Sequence, residues 1–361
     1  MREVRRQIVA VRLQPGDRVP SHVALEQRFH ASANAVLRAM KRLERDGFVV
    51  SQRRRGMFVA TRLPHLTDYA LVFPHDPGAD PSWSRLYAVL ANAAVVVGRT
   101  AHCRIRLFYG TNKGEQAGDY RRLLELVEGQ CLAGLIFAFY PHELRTTPII
   151  KLPGLPRVAL ASGHNPDGLQ MVDATTGSFF NKALAWLASR QRRRIALVTH
   201  SRLDLSADFE SRLAAYGVET RRCWSMAGSE DAPATVRAFV ELLMRLPAMD
   251  RPDGLVITDD NLVEPAAAGL VDAAVRVGVD LDVVARCNFP WAGASAVPVK
   301  RLGYDARELL EVSLDLINRQ RRGEPVPSRT EVQAVFEEDT REPSATVTLS
   351  ARQPVVGSMK E

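Results

Sequence analysis

The sequence predicts an α/β chain in two parts: an N-terminal winged helix-turn-helix and a two-lobed body built on two doubly wound parallel sheets. Three observations carry that expectation. Residues 1–62 hold 14 Lys and Arg against 5 Asp and Glu, a net charge of +9, whereas the remainder holds 34 against 36, a net of −2. The same segment carries helix caps, a tight turn and an arginine-rich loop in helix-turn-helix order. From residue 69 onward, short apolar runs alternate with amphipathic stretches, the pattern of parallel strands covered by helices on both faces.

Taken in order, a first helix from roughly Arg2 to Val11 places Val4, Ile8 and Val11 on one face, and Pro15-Gly16-Asp17 ends it. Ser21 is predicted to cap a second helix, with Ala24, Leu25 and Phe29 at core spacing. After a turn at His30-Ala31, Ser32 caps a third helix. That helix turns Val36, Ala39, Met40 and Leu43 inward and Asn34, Leu37, Arg38, Lys41 and Arg45 outward. Helix, short turn and polar-faced helix is the layout that lays the later helix in the major groove of DNA. Asp46-Gly47 then opens a hairpin with strands at Phe48-Val49-Val50 and Met57-Phe58-Val59. Arg53, Arg54 and Arg55 in the loop between them suit phosphates or the minor groove.

A linker is expected at 63–68 and the body at 69–338. Strands are predicted at Tyr69–Phe73, Ile105–Phe108, Gly134–Phe139, Arg157–Leu160, Ile195–Val198, Gly254–Ile257 and Val283–Arg286. Helices are predicted at Trp83–Gly98, Asp119–Glu128, Thr175–Ser189, near Asp208–Tyr216, Pro233–Leu246, Glu264–Val277 and Asp305–Asn318. About nine such units exceed one compact layer. The body is therefore divided into lobe 1, about 69–162 plus 291–318, and lobe 2, about 165–288 plus 322–338. Residues 339–361, polar and rich in Pro, Ser and Thr, are expected to form a flexible tail.

Several classes are disfavoured. No window approaches the roughly 18 uninterrupted apolar residues of a membrane span, and the charged N-terminus lacks the apolar core of a secretory signal. A cytoplasmic, nucleoid-associated location follows as the expectation. Cys103, Cys131, Cys223 and Cys287 are widely spaced and the histidines scattered, so neither a disulfide framework nor a metal site is expected. No phosphate loop, dinucleotide fingerprint or G-x-S-x-G elbow is present, so no catalytic residue, cofactor or enzyme activity is assigned.

The pieces L-Q-P-G-D-R-V-P-S, S-A-N-A-V-L-R-A-M-K-R-L-E-R-D-G-F-V and R-G-M-F-V resemble the GntR-family winged helix from about Ile8 to Ala60. The resemblance implies a dimeric bacterial DNA-binding regulator. The first helix reads about two turns short of the family's, so an upstream start is expected. His22 and Val23 stand where the family usually has acidic and basic residues, Ala33 where it has arginine, Ala35 where it has threonine. Arg54 replaces the first wing glycine, and Met57 the threonine after the second. The scaffold thus matches better than the reading surface. L-A-G-L-I-F-A, V-D-A-T-T-G-S, R-R-R-I-A-L-V-T, R-P-D-G-L-V-I-T-D-D-N and the terminal Y-D-A-R-E-L-L resemble the sugar-sensing, periplasmic-binding-protein-like domain of LacI-type repressors. A GntR-type head on such a body is similar to the arabinose-repressor arrangement. At the spacing where the LacI family places an arginine after Thr199-His200-Ser201, this chain has Leu205, with Arg202 nearby.

The head is expected to bind double-stranded operator DNA through Ser21, His22, Ser32, Asn34, Arg38, Lys41, Arg53, Arg54 and Arg55. In folds of this kind ligands sit at the carboxyl ends of strands, which nominates His75, Asp76, Trp83, Tyr140, Asp173, Arg202, Asp259, Asn288 and Trp291. Carboxylates, amides and aromatic planes at those positions suit a sugar, although Asp173 and Asp259-Asp260 also read as helix caps. The predicted helix over 83–98, apolar nearly all round, places a homodimer interface at or near its outer side. The expected function is a transcriptional regulator, foremost a repressor, controlled by a small effector such as a sugar. The alternative is a cytoplasmic small-molecule-binding protein whose head has lost sequence specificity.

Overall fold

A computed structural model describes residues 13–78, 83–163, 165–200 and 207–340. The predicted first helix, Arg202 and the tail beyond residue 340 lie outside the described residues. In the head, α1 (His22–Phe29) and α2 (Ala33–Arg45) begin where expected. The hydroxyls of Ser21 and Ser32 accept from the N–H groups of Ala24 and Ala35, satisfying donors that a helix start leaves unpaired. Val36, Met40 and Leu43 form the buried stripe of α2 and pack with Leu25, Phe48, Val49 and Val59. Ala24 and Phe29, expected inward, are exposed; of α1 only Leu25 is buried, because eight residues turn a narrow stripe onto α2. The wing strands β1 (Val49–Gln52) and β2 (Gly56–Val59) pair antiparallel, with Arg53, Arg54 and Arg55 at the tip.

The stretch expected as a linker is ordered instead. Pro64 opens a single helical turn, α3 (Pro64–Thr67), as suits a residue whose missing N–H costs nothing there. His65 stacks on Phe48 at 5.7 Å, and Leu126 and Cys131 of the body join the head's core.

The body then runs β3 (Asp68–Val72), α4 (Arg85–Thr100), β4 (Arg104–Phe108), α5 (Gly118–Glu128), β5 (Gly134–Phe137), α6 (Pro148–Lys151), β6 (Arg157–Leu160) and β7 (Gln170–Ala174). It continues with α7 (Thr176–Ser189), β8 (Ile195–His200), α8 (Ala207–Ala215), β9 (Ser225–Gly228), α9 (Pro233–Met244), β10 (Gly254–Ile257), α10 (Val263–Asp272) and β11 (Asp282–Phe289). Then come β12 (Lys300–Asp305), α11 (Ala306–Arg321), β13 (Arg329–Val332) and β14 (Val335–Phe336). Among the described residues no helix is long and apolar enough to cross a membrane.

The strands make two sheets of six, in the orders β13-β7-β6-β5-β3-β4 and β14-β12-β11-β10-β8-β9. Neighbours are parallel except for the short β12–β14 pair. Each sheet starts on an inner strand, steps outward to an edge, β4 or β9, and then reverses. The reversal points lie between β3 and β5 and between β8 and β10, where crevices open at the carboxyl ends.

Sheet membership corrects the expected lobe boundaries. β7 still belongs to the first sheet, so the division falls after Ala174 rather than near residue 162. β12, inside a stretch assigned to lobe 1, pairs in the second sheet, and β13, in a stretch assigned to lobe 2, pairs with β7 in the first. Between them α11 lies across the first sheet, with Ile317 so close to Gly134 that a Cβ there would stand 2.5 Å from it. Trp83 also precedes its helix, since Ser84 is the cap of α4. α10 stops at Asp272 because Ala274 adopts left-handed backbone at φ 53°. One apolar core runs through both sheets by way of Leu90 and Val97 of α4, Leu184 of α7 and Leu310 of α11.

Candidate functional site

The head presents one cationic face. His22, Asn34, Arg38 and Lys41 are exposed along the start of α1 and the outer side of α2. Ser21 and Ser32 are exposed too, but their hydroxyls are engaged as caps, so what each leaves at the surface is an oriented helix N-terminus. Arg53, Arg54 and Arg55 stand in solvent at the wing tip, Arg55 with its guanidinium 5.6 Å from the centre of the Phe58 ring. Arg54 holds left-handed backbone at φ 63°, the conformation that a glycine would adopt without penalty. Arg18, overlooked in the sequence, lies against Gly56 and bridges to Phe58, widening the wing's cationic edge.

On the first sheet, the end of β3 leads into an aromatic cluster. The Phe73 ring lies 5.4 Å from Trp83, 5.7 Å from Tyr87 and 5.3 Å from Tyr109. His75 stands 6.5 Å from the Tyr87 ring, and Trp83 remains half-buried at the cluster's edge. Three nominated residues are drawn into their own lobe. Asp76 pairs with Lys113 at 2.7 Å. The Tyr140 hydroxyl lies 2.9 Å from Asp167 and 3.0 Å from Asn165. Asp173, buried in β7, accepts from Ser162 and pairs with Arg329 of β13 at 3.4 Å. It caps no helix.

On the second sheet the ends of β10 and β11 converge. Asp259 accepts from the Asn261 N–H at 2.8 Å and so caps a short turn. Asp260, which spacing could not separate from its neighbour, accepts from the Asn288 amide at 2.7 Å. Some of its surface is accessible, yet enough protein surrounds it to penalise ionisation. Burial and the adjacent Asp259 raise its carboxyl to about 6, partly offset by Asn288, Arg286 and Arg85. Arg286 lies 5.0 Å from the centre of the Tyr304 ring, and Trp291 is 43% exposed just past the cis Phe289-Pro290 bond. At the ends of β8 and β9, His200 meets Glu230 at 3.0 Å, a pair no motif announced.

The two sheets meet across this region. The N–H of Arg85 donates to the Asn261 side chain at 3.1 Å, and its guanidinium lies 2.9 Å from Glu264. The structure therefore gathers Asp259, Asp260 and Asn288 with the start of α4, while Asp76, Tyr140 and Asp173 make intralobe contacts. Among the described residues no group of His, Cys, Asp and Glu has the arrangement of a metal site.

Comparison with known proteins accords with this geometry. Residues 1–59 match the gntR family of bacterial regulatory proteins, and residues 184–338 match the periplasmic binding protein-like domain. No curated protein matches the chain. Among solved structures, a regulatory protein of the LacI family from Chloroflexus aggregans superposes with a TM-score of 0.61 at 15% identity, over 74% of this chain and 96% of that one. A LacI family transcriptional regulator from Arthrobacter sp. FB24, in complex with lactose, gives 0.58 at 15% identity, over 75% and 97%. One from Lactobacillus casei with bound glucose gives 0.54 at 16% identity, over 75% and 98%. The chain thus joins a head that matches the gntR family of bacterial regulatory proteins to a periplasmic-binding-protein-like body with the fold of LacI family regulators.

Proposed function

We propose that this chain is a cytoplasmic transcriptional repressor that releases or regrips its operator when a sugar binds between the two lobes. The observation that carries the reading is the meeting of Asp259, Asp260 and Asn288 with Ser84 and Arg85 at the reversal points of the two sheets, beside the Phe73–Trp83–Tyr87–Tyr109 cluster. Carboxylates and an amide take hydroxyl groups, and aromatic faces take the C–H side of a sugar ring. The bound lactose and glucose of the Arthrobacter and Lactobacillus proteins support that ligand class. Asp259, Asn288, Trp83 and Trp291 are the proposed contacts, with His75 at the rim; Arg202, outside the described residues, is kept as a contact from its place in the sequence alone. Asp76, Tyr140 and Asp173 are assigned to shaping it.

In the head, Asn34 and Arg38 read base edges, while His22, Lys41, Arg53, Arg54 and Arg55 take phosphates together with the helix starts at Ser21 and Ser32. Two heads in a homodimer read half-sites about one helical turn apart. Val95, 54% exposed on α4, is assigned to the proposed dimer face. Ligand closure of the lobes changes the spacing of the heads, with a coupling of about 1–3 kcal/mol.

The test is operator selection from random duplexes, followed by titration with monosaccharides and disaccharides. The expected result is one preferred sequence at constant salt, loosened by one sugar, with Arg38→Ala costing about 1–3 kcal/mol. Binding that follows salt alone, with no sequence preferred, identifies instead a small-molecule-binding protein with a non-specific head. A chain that sediments as a monomer on its operator removes the dimer.

A further inference from the structure

Two large apolar side chains stand on the face that should meet DNA. Val23, in the first turn of α1, is 61% exposed, and Leu37, on α2 one residue before Arg38, is 40% exposed. Both line a single hollow of about 470 Å³ whose other walls include His22, Lys41 and Ser21. Neither contributes to the head's core, which is closed by Leu25, Val36, Met40 and Leu43. Arg18 and Lys41 outnumber the one carboxylate of the hollow, Glu44, and the whole segment carries a net charge of +9, so a polyanion is the surface that this face complements.

A phosphate offers nothing to an isobutyl or isopropyl group. Among the groups that base-pair edges present in the major groove, the C5 methyl of thymine is the one alkyl group. Resting on the operator-binding reading above, we propose that Leu37 and Val23 are specificity-determining residues that read thymine methyl groups in each half-site. Asn34 and Arg38 supply the hydrogen bonds beside them. The half-site therefore contains one or two thymines whose recognition depends on the methyl group alone. Lys41, in the same hollow, holds the backbone while the apolar pair rests on the methyl.

The full chain is first used to select an operator. Each thymidine of the half-site is then replaced in turn by deoxyuridine, which keeps every hydrogen-bonding group and removes only the methyl. Wild-type affinity should fall about three- to fivefold at one or two positions, the scale of one buried methyl group, and stay constant elsewhere. Leu37→Ala should bind the thymidine operator correspondingly less well and lose its sensitivity to deoxyuridine at one of those positions. Val23→Ala should do the same at another, and Leu37→Met should restore the discrimination. Both residues are exposed, and the melting temperature of each variant checks that the head stays folded. A selected operator that tolerates deoxyuridine everywhere overturns the proposal and leaves the regulator intact, as does undiminished deoxyuridine sensitivity in both alanine variants. Absence of any selected sequence overturns the regulator and this assignment together.

Discussion

Arg85, at the start of α4, lies 2.9 Å from Glu264 on α10, so a helix packed on the first sheet is latched to a helix packed on the second. The latch has two components with different physics. The ion pair is largely solvent-exposed, Glu264 most of all, and such pairs contribute about 0–1 kcal/mol. The hydrogen bond from the Arg85 N–H to Asn261 is half-buried and carries no salt-sensitive charge pair. Glu264→Gln should therefore shift the balance of open and closed lobes by no more than about fivefold, and the shift should vanish at molar salt. Asn261→Ala should shift it at any ionic strength. Energy transfer between one dye on each lobe reads both. Equal salt dependence in the two variants would discard this division of the latch.

Asp260 gives the second lobe a distinct pH signature. Its folded carboxyl titrates near 6, above the ordinary aspartate value, because burial and Asp259 disfavour the charge. A folded value raised in this way contributes stability below the unfolded value, near 4, and that contribution is lost as pH rises through about 6. The loss should approach about 3 kcal/mol for a shift of this size. Asp260→Asn removes the titrating group and leaves a carbonyl for the Asn288 amide. Melting curves of the variant and the parent should coincide below pH 4, separate between pH 4 and 6 and stay apart above, with the variant more stable. Parallel curves across that range count against the assignment.

Local pattern exposed some of this architecture and concealed the rest for physical reasons. Arg157–Leu160 and Gly254–Ile257 were readable because inner parallel strands are short apolar runs. β13, sequence R-T-E-V, and β9, sequence S-M-A-G, lie at sheet edges and need no such run. β12 begins with Lys300 and Arg301, half-buried, and contains Gly303 where a strand pattern would break. β7 contains Asp173, whose charge is offset by Arg329 from a strand about 150 residues later, a pairing beyond any local window. In the head, capping and outward spacing located the helix starts and the exposed face of α2 directly, since both are properties of one helix. In the crevice, Asp259 and Asp260 are adjacent and chemically identical; only the fold shows that the first caps a turn and the second meets Asn288. Arg85 and Asn261 are 176 residues apart, and nothing in either segment points to the other.

The joint between head and body should weaken in mild acid. His65 stacks on Phe48 and its imidazole is lowered to about 4, chiefly by burial and secondarily by the positive charge of Arg321. With the folded value below the unfolded one, its contribution is complete above about pH 6.5. It is lost progressively as pH falls toward 4. Some solvent reaches the ring, so the effect is smaller than full burial would give. His65→Phe keeps the stack and removes the proton site. Limited proteolysis within 60–68 should accelerate between pH 6.5 and 4 in the parent chain and stay level in the variant. Arg321→Met should move the midpoint of the parent's transition upward by removing the neighbouring charge.

If the wing binds DNA as proposed, Arg54 sets stability against affinity at one position. Its left-handed backbone, at φ 63°, costs an L-residue about 1 kcal/mol relative to glycine. Gly56 two residues on, at φ 105°, already supplies the other bend of the wing turn. Arg54→Gly should relax the turn and raise stability by about 0.5–1 kcal/mol, less the extra entropy of glycine in the unfolded chain. On the proposed reading of the wing the same change deletes one phosphate-binding cation, so the slope of log affinity against log salt should fall by about 1. Because phosphates are alike at every base pair, the loss should be uniform across operator and random duplexes. A variant that melts lower than its parent would show that the wing tip is not strained. A variant that changes which sequence is preferred would move Arg54 from the backbone to the bases.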